Sequence, residues 1–110
     1  KELLETSGGN EAEARSLTNT YLDDAEVTMS ILDTAIRSVS RVAIKKLAHR
    51  LRGSCLTLGF KALVIVLERL ENSAEKEPQE VLQVIYQELL TEQERTKAAL
   101  HEFYQNGAKL

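Results

Sequence analysis

One histidine in this chain is placed where its side chain could react with another molecule. Read at helical period, His49 comes two positions after a residue of the apolar face, so it points roughly 200° away from that face, towards solvent. Lys45, Lys46 and Arg52 are three or four residues from His49 and therefore share its side of the helix. The pattern presents an imidazole, which can act as a nucleophile, outward among cations.

Gly53 lies one turn after His49, inside the same predicted helix. A mid-helix glycine costs about 1 kcal/mol relative to alanine, so the missing side chain should bring some advantage. Either another molecule approaches the backbone there, or two helices pack closely. Val42 and Leu56 are about two turns on either side of His49 at nearly the same azimuth. Two exposed apolar groups around a basic imidazole indicate a partner-docking rim.

Each of these features also has an ordinary explanation. A surface histidine is most often only that, and the cations could be the solvated face of an amphipathic helix. Gly53 could serve helix packing. Their coincidence on one face favours a site, but from spacing alone both interpretations stay open.

The remaining reactive residues give no second site. Cys55 falls on the inward side of the helix and is expected to be a small core residue. His101 is expected at the surface, and two histidines and one cysteine at these separations do not make a metal site. Ser54 is expected on the inner face, bonded to the helix backbone. Three tyrosines are expected at the rim of the core with wet hydroxyls: Tyr21, Tyr86 and Tyr104.

Apolar spacing of three and four residues predicts the helices that carry the site. The first helix has the stripe Leu22, Ala25, Met29, Leu32, Ile36 and Val39. Residues 38–40 are predicted to break it, with Ser40 as the N-cap of the next helix. That central helix should run from about residue 42 to residue 58, and Gly59 is placed to end it in the left-handed conformation.

The apolar spacing resumes at Phe60, which predicts a tight helical hairpin. Residues 75–78 mark the next break, with Pro78 suited to a first helical turn. A last long helix is expected to end near Asn106. No segment alternates with period two. We therefore predict an all-α fold, an antiparallel four-helix bundle over residues 11–107 with a short extra N-terminal helical segment. Residues 1–10 are interpreted as a linker remnant and residues 108–110 as a tail.

Composition excludes several classes of function. The 110 residues carry 17 acidic and 14 basic side chains, and no face has the broad positive stripe that a nucleic-acid binder needs. One cysteine excludes an internal disulfide, which favours a reducing, cytoplasmic setting. No apolar run suggests a membrane span or signal peptide, so no direct membrane contact is expected. The start at Lys1 and the Gly8-Gly9 pair favour a piece of a longer protein, tethered to the inner face of a membrane if that protein is a sensor kinase.

The run His49-Arg50-Leu51-Arg52-Gly53-Ser54, followed by Leu58-Gly59, Leu63 and Leu70-Glu71, resembles the pattern of histidine-containing phosphotransfer (HPt) domains. These are the phosphorelay modules of two-component signalling, often found at the C-terminal end of hybrid sensor kinases. The family pattern is H-x-L-K-G-S with a glycine ten residues after the histidine, and Arg52 stands here where the family usually has lysine. Arginine keeps the cation but offers a planar fork of donors.

The resemblance implies that His49 accepts a phosphoryl group from an aspartyl phosphate on a receiver domain and passes it to another. Lys45, Lys46 and Arg52 would help to keep the imidazole neutral and would offset charge on the phosphoryl oxygens. Gly53 would leave room for the receiver's loops. The chain has no phosphate-cradling G-x-x-x-x-G-K-[ST] motif, so Mg²⁺ would come from the receiver and no cofactor is expected on this domain. It would be a phosphocarrier without autonomous catalysis, and a histidine kinase in the same chain would be a further partner.

A second function stays open at this point. The chain could be a helical protein-interaction or dimerisation module that has the phosphotransfer fold without its chemistry. Such a module would bind a partner through Val42, Leu56 and the basic rim whether or not phosphate is present. A metal-dependent or hydrolytic enzyme ranks well behind both.

Overall fold

The computed structural model describes residues 11–105, which form four helices. These are α1 (Glu11–Arg37), α2 (Arg41–Leu58), α3 (Lys61–Ser73) and α4 (Gln79–Gln105). The predicted linker remnant, the predicted end of the last helix near Asn106 and the tail lie outside the described residues. Within residues 11–105, α1 is one unbroken helix, and the predicted extra N-terminal helical segment is not found as a separate element. The predicted four helices and their short connections are confirmed.

The helices pack in cyclic order, because each contacts the next along the chain and α1 also contacts α4. The most extensive contact joins α2 to α3, the two helices of the predicted hairpin. Each contributes its apolar stripe to one core, whose largest fully buried side chains include Leu32, Ile44, Leu67 and Leu89. The all-α, antiparallel bundle is therefore confirmed, and its short middle helices carry the candidate site.

The inward face of α2 differs slightly from the sequence prediction. Its buried residues are Ile44, Ala48, Leu51, Cys55 and Leu58. Ser54 is exposed, so its predicted place on the inner face is wrong. A residue at this position lies about 80° from the centre of the buried stripe, too far round to reach the core. Cys55 is fully buried as predicted, and burial raises the pKa of its thiol to about 11.

Two tyrosines are core residues, and the prediction of wet hydroxyls is wrong for them. Tyr21 is 4% exposed, and its hydroxyl donates to Gln93 Oε1 at 2.8 Å while lying 3.4 Å from the Cys55 thiol. Tyr86 is also buried, and its hydroxyl donates to the Met29 carbonyl at 3.1 Å. A phenol can be buried where its hydroxyl has a partner, and the sequence pattern does not show such partners.

The two turns that flank α2 end their preceding helices in the same way. Gly59 takes the predicted left-handed conformation with φ 79°, and the Phe60 N–H reaches back to the Cys55 carbonyl at 2.9 Å. After α1, Val39 holds the same position with φ 53°, and the Ser40 N–H reaches the Ala35 carbonyl at 2.8 Å. A β-branched residue in this region is strained by roughly 1–2 kcal/mol. The spacing predicted that Val39 continues the apolar stripe of α1, but Val39 lies in the turn after the helix and does not.

Two side chains tie together the loops at one end of the bundle. Arg41 Nη1 donates to the carbonyls of Ala74 (3.0 Å) and Glu77 (2.6 Å), just after α3. Gln79 Nε2 donates to the carbonyls of Ile36 (3.1 Å) and Arg37 (3.0 Å), at the end of α1. The bonds to Ala74, Ile36 and Arg37 satisfy carbonyls at helix ends, and the bond to Glu77 satisfies a carbonyl of the loop before α4. They also fix the start of α2 against the end of α3, which sets the register of the site.

Candidate functional site

The outer groove between α2 and α3 is lined by charged side chains and one imidazole in matching register. Lys45 Nζ lies 2.5 Å from Glu75 Oε1, and His49 Nδ1 lies 2.8 Å from Glu71 Oε2. The two pairs are four residues apart on each side of the groove, with Lys45 and His49 on α2, Glu71 near the end of α3 and Glu75 in the turn after it. Arg52 Nε completes the row, 2.9 Å from Glu71 Oε1. The site is therefore built across the α2–α3 hairpin, with its cations on α2, Glu71 on α3 and Glu75 in the turn just after α3.

His49 is exposed but held on one side. Its side chain is 66% exposed, as the helical period predicted. Two groups approach Nδ1, namely Glu71 Oε2 at 2.8 Å and Arg52 Nη2 at 3.1 Å. Among the described residues none bonds the other ring nitrogen, Nε2. The ring is thus anchored through Nδ1 and presents Nε2 to an incoming molecule.

Glu71 entered the sequence analysis only as part of the Leu70-Glu71 pair, and its contact with His49 was not predicted. Its side chain is only 15% exposed, and its two oxygens bond Arg52 and His49. Partial burial raises the pKa of the Glu71 carboxyl, but the hydrogen bonds from Arg52 and His49 outweigh burial and leave the pKa below its ordinary value. Glu71 is therefore ionised at neutral pH. The surroundings of His49 are consequently not only cationic, as the helical face of α2 alone had suggested.

The two lysines stand differently at the site. Lys45 is paired with Glu75, whose hydrogen bond raises the pKa of Lys45, while the same bond lowers the pKa of Glu75. Both side chains of this pair are at least half exposed. Lys46 is exposed on the neighbouring side of α2. A contribution of either lysine to a phosphoryl group stays a prediction, as does that of Arg52.

Gly53 faces open space. A Cβ built at this position would have no atom within 4 Å apart from its own helix and chain neighbours. Close packing against another helix of residues 11–105 therefore does not explain the glycine, and the approach of another molecule stays a prediction. Val42 and Leu56, the expected docking rim, are 66% and 56% exposed.

An apolar patch extends this rim onto α3. Leu56 of α2 and Val64 and Ile65 of α3 line a shallow cavity of about 360 Å³ next to Gly59. Ile65 is 63% exposed, although it stands in a helix whose other apolar residues are mostly buried. Sequence analysis did not single out Ile65. The sequence feature that could have revealed it is an apolar residue outside the buried stripe of α3. In the hairpin, this residue lies on the side of α3 that is close to Leu56.

Comparison with protein families now decides what this arrangement is. The family model of the Hpt domain matches residues 16–103, which include all of α2 and α3, most of α1 and α4, and the groove. The chain belongs to the Hpt domain family. Comparison with curated proteins and with solved structures gave no significant match. The family assignment confirms the resemblance that the residues after His49 suggested, and with it the four-helix fold.

Membership implies a role as a histidine phosphotransfer carrier in phosphorelays, and Hpt domains in general interact with receiver domains. Over residues 11–105 no helix is both long and apolar enough to cross a membrane. Within the same range no group of three or more His, Cys, Asp or Glu side chains could hold a metal ion.

Proposed function

We propose that this Hpt domain accepts a phosphoryl group on Nε2 of His49 from a receiver's aspartyl phosphate and passes it to a second receiver. The observation that carries the proposal is the anchoring of the exposed ring through Nδ1 alone. A nucleophilic nitrogen must have a free lone pair and an open approach. Of the two nitrogens only Nε2 has both, because Glu71 and Arg52 occupy Nδ1.

Glu71 supports the nucleophile by selecting its tautomer. When Nδ1 carries the proton, it donates to Glu71 Oε2, and the lone pair of the neutral ring is on Nε2. Transfer then forms the Nε2–P bond and breaks the bond between phosphorus and the aspartyl oxygen, which leaves as a carboxylate. From this tautomer no proton has to move. The positive charge that develops on the ring faces the Glu71 carboxylate, and the reverse step restores the neutral ring.

The surface around His49 supports docking of a receiver. Gly53 leaves the backbone open beside the imidazole, and Leu56 and Ile65 give apolar contact area on the adjoining part of α2 and α3. Lys45, Lys46 and Arg52 offset charge on the phosphoryl oxygens. The receiver supplies Mg²⁺, and a histidine kinase is the ultimate source of the phosphoryl group. This domain contributes the acceptor and the binding surface.

The test is phosphoryl transfer from a phosphorylated receiver domain, with Mg²⁺, to the wild type, to His49→Gln and to the control His101→Gln. His101 is an exposed histidine on α4, so its replacement should change neither folding nor labelling. We expect label on the wild type and the control, labile in acid and stable in base, and none on His49→Gln with unchanged helical circular dichroism. Labelling of His49→Gln would refute the assignment. A folded wild type that binds receivers without taking label would favour the interaction module.

A further inference from the structure

His49 Nδ1 has two neighbours that a neutral imidazole cannot satisfy at once. Arg52 Nη2, 3.1 Å away, is only a donor and needs a lone pair on Nδ1. Glu71 Oε2, 2.8 Å away, is an acceptor when ionised and needs a proton on Nδ1. A neutral imidazole carries one proton, on Nδ1 or on Nε2. The two contacts therefore belong to two tautomers.

The tautomers differ in reactivity at the nitrogen that faces solvent. With the proton on Nδ1, the ring donates to Glu71 and Nε2 is a nucleophile. With the proton on Nε2, Nδ1 accepts from Arg52 and Nε2 has no lone pair to offer in the ring plane. Arg52 thus favours the unreactive form, and Glu71 favours the reactive one.

We propose that Arg52 is a positioning residue that holds part of the resting His49 in the unreactive tautomer and releases it when a phosphoryl group arrives. The inference rests on the proposed function, since release matters only if His49 is the acceptor. Incoming phosphoryl oxygens are stronger acceptors for Nη2 than a neutral ring nitrogen. When Nη2 turns to them, Nδ1 takes up a proton from solvent and donates a hydrogen bond to Glu71. Nε2 loses its own proton and becomes nucleophilic. The proton leaves Nε2 through solvent, which the exposed ring contacts.

The shape of arginine makes this exchange possible. Arg52 Nε donates to Glu71 Oε1 at 2.9 Å, so the guanidinium stays attached to α3 while its Nη2 changes partner. A lysine ammonium is a point charge without a fixed fork and cannot reproduce both bonds. The half-buried Arg52 and Glu71 side chains, 22% and 15% exposed, keep this pair ordered beside the exposed ring.

The experiment measures the tautomer of His49 by ¹⁵N chemical shifts of the imidazole in the phosphate-free domain, at pH values where the shifts no longer change. The variants are Arg52→Gln and Arg52→Lys. The control is Arg50→Gln, which removes a cation from the same helix. Arg50 bonds Thr28 on the side of α2 that faces α1, away from His49. We expect Nδ1 to become more pyrrole-like in both Arg52 variants, with a change in tautomer ratio of about fivefold, or about 1 kcal/mol. The control should match the wild type.

Two outcomes would overturn the inference. Unchanged shifts in Arg52→Gln would show that the Nη2 contact does not bias the ring. A change towards a proton on Nε2 would show that Arg52 acts instead by holding Glu71 in place. These shifts are measured without phosphate, so they are independent of the transfer assay. Failure of the wild type to accept label would remove the proposed function but leave the measured tautomer bias unaltered.

Discussion

Replacing Glu71 with glutamine removes one negative charge from the groove while keeping the side chain's shape. In the wild type, Glu71 is ionised, only 15% exposed and 2.8 Å from His49 Nδ1. Hydrogen bonds to charged groups contribute about 1.5–3 kcal/mol and neutral ones about 0.5–1.5 kcal/mol. The variant should therefore lose about 1 kcal/mol of support for the Nδ1-protonated ring. Arg52 would also compete better for the lone pair of Nδ1, because an amide is a weaker acceptor than a carboxylate for the Nδ1 proton.

A loss of about 1 kcal/mol corresponds to a transfer rate lower by about fivefold. The assay is single-turnover transfer from a phosphorylated receiver, measured over receiver concentration so that the rate at saturation is separated from affinity. The rate should fall and the affinity should change little, since Glu71 lies beneath the exposed ring. Glu71→Ala should be slower still, because it leaves both Arg52 and Nδ1 without their acceptor.

The matched control is Glu75→Gln, four residues after Glu71 in the turn that follows α3. Glu75 bears the same charge and pairs with Lys45, but both side chains of that pair are at least half exposed. Exposed pairs of this kind contribute little, so the control should transfer at nearly the wild-type rate. Wild-type transfer by Glu71→Gln would contradict the tautomer argument. An equal loss in both variants would show that only the net charge of the groove matters.

Three further predictions concern the bundle and the open face. Val39→Gly should increase the free energy of unfolding by up to about 1 kcal/mol, because glycine accepts φ 53° without strain. The denaturation midpoint should rise accordingly, and a lower midpoint would contradict the strain argument. Gly53→Ala should stabilise α2 by up to about 1 kcal/mol, since its Cβ enters open space, yet should slow transfer by blocking the receiver; an unchanged rate would argue against close approach. Folding lowers the pKa of Glu71, so ionised Glu71 stabilises the fold fully at pH values above its ordinary pKa of 4.5. This stabilisation is lost as the pH falls through the lower pKa of the folded state. The stability difference between wild type and Glu71→Gln, measured by urea unfolding, should therefore shrink with acid, and a constant difference would refute this.

The fold was predictable because its signals are local. Helical spacing, the break at residues 38–40 and Gly59 each depend on a few neighbouring residues, and all are confirmed. The outward direction of His49 likewise follows from α2 alone. Such features need no knowledge of what packs against the helix.

The parts that sequence analysis missed depend on neighbours from other helices. Glu71 reaches His49 only because the α2–α3 hairpin has a particular register, and a helical period says nothing about register between helices. Tyr21 is buried because Gln93 on α4 accepts its hydroxyl proton, 72 residues along the chain. Ser54 is a smaller error of the same kind, since the width of the buried stripe depends on how closely α1 and α3 approach α2.

The exposure of the site is itself an argument for a carrier. A residue that takes a phosphoryl group from one receiver and gives it to another must be reachable by both in turn. His49 meets this need because a single nitrogen is anchored by the half-buried Arg52 and Glu71 side chains, while the rest of the ring stays exposed. We expect the open face at Gly53 to serve the same end. An exposed site gives its charges little energetic advantage, since water screens them. Under the proposed function, we expect exclusion of water and the metal ion to come with the receiver, so that transfer is fast only in the complex and the phosphorylated domain persists between encounters.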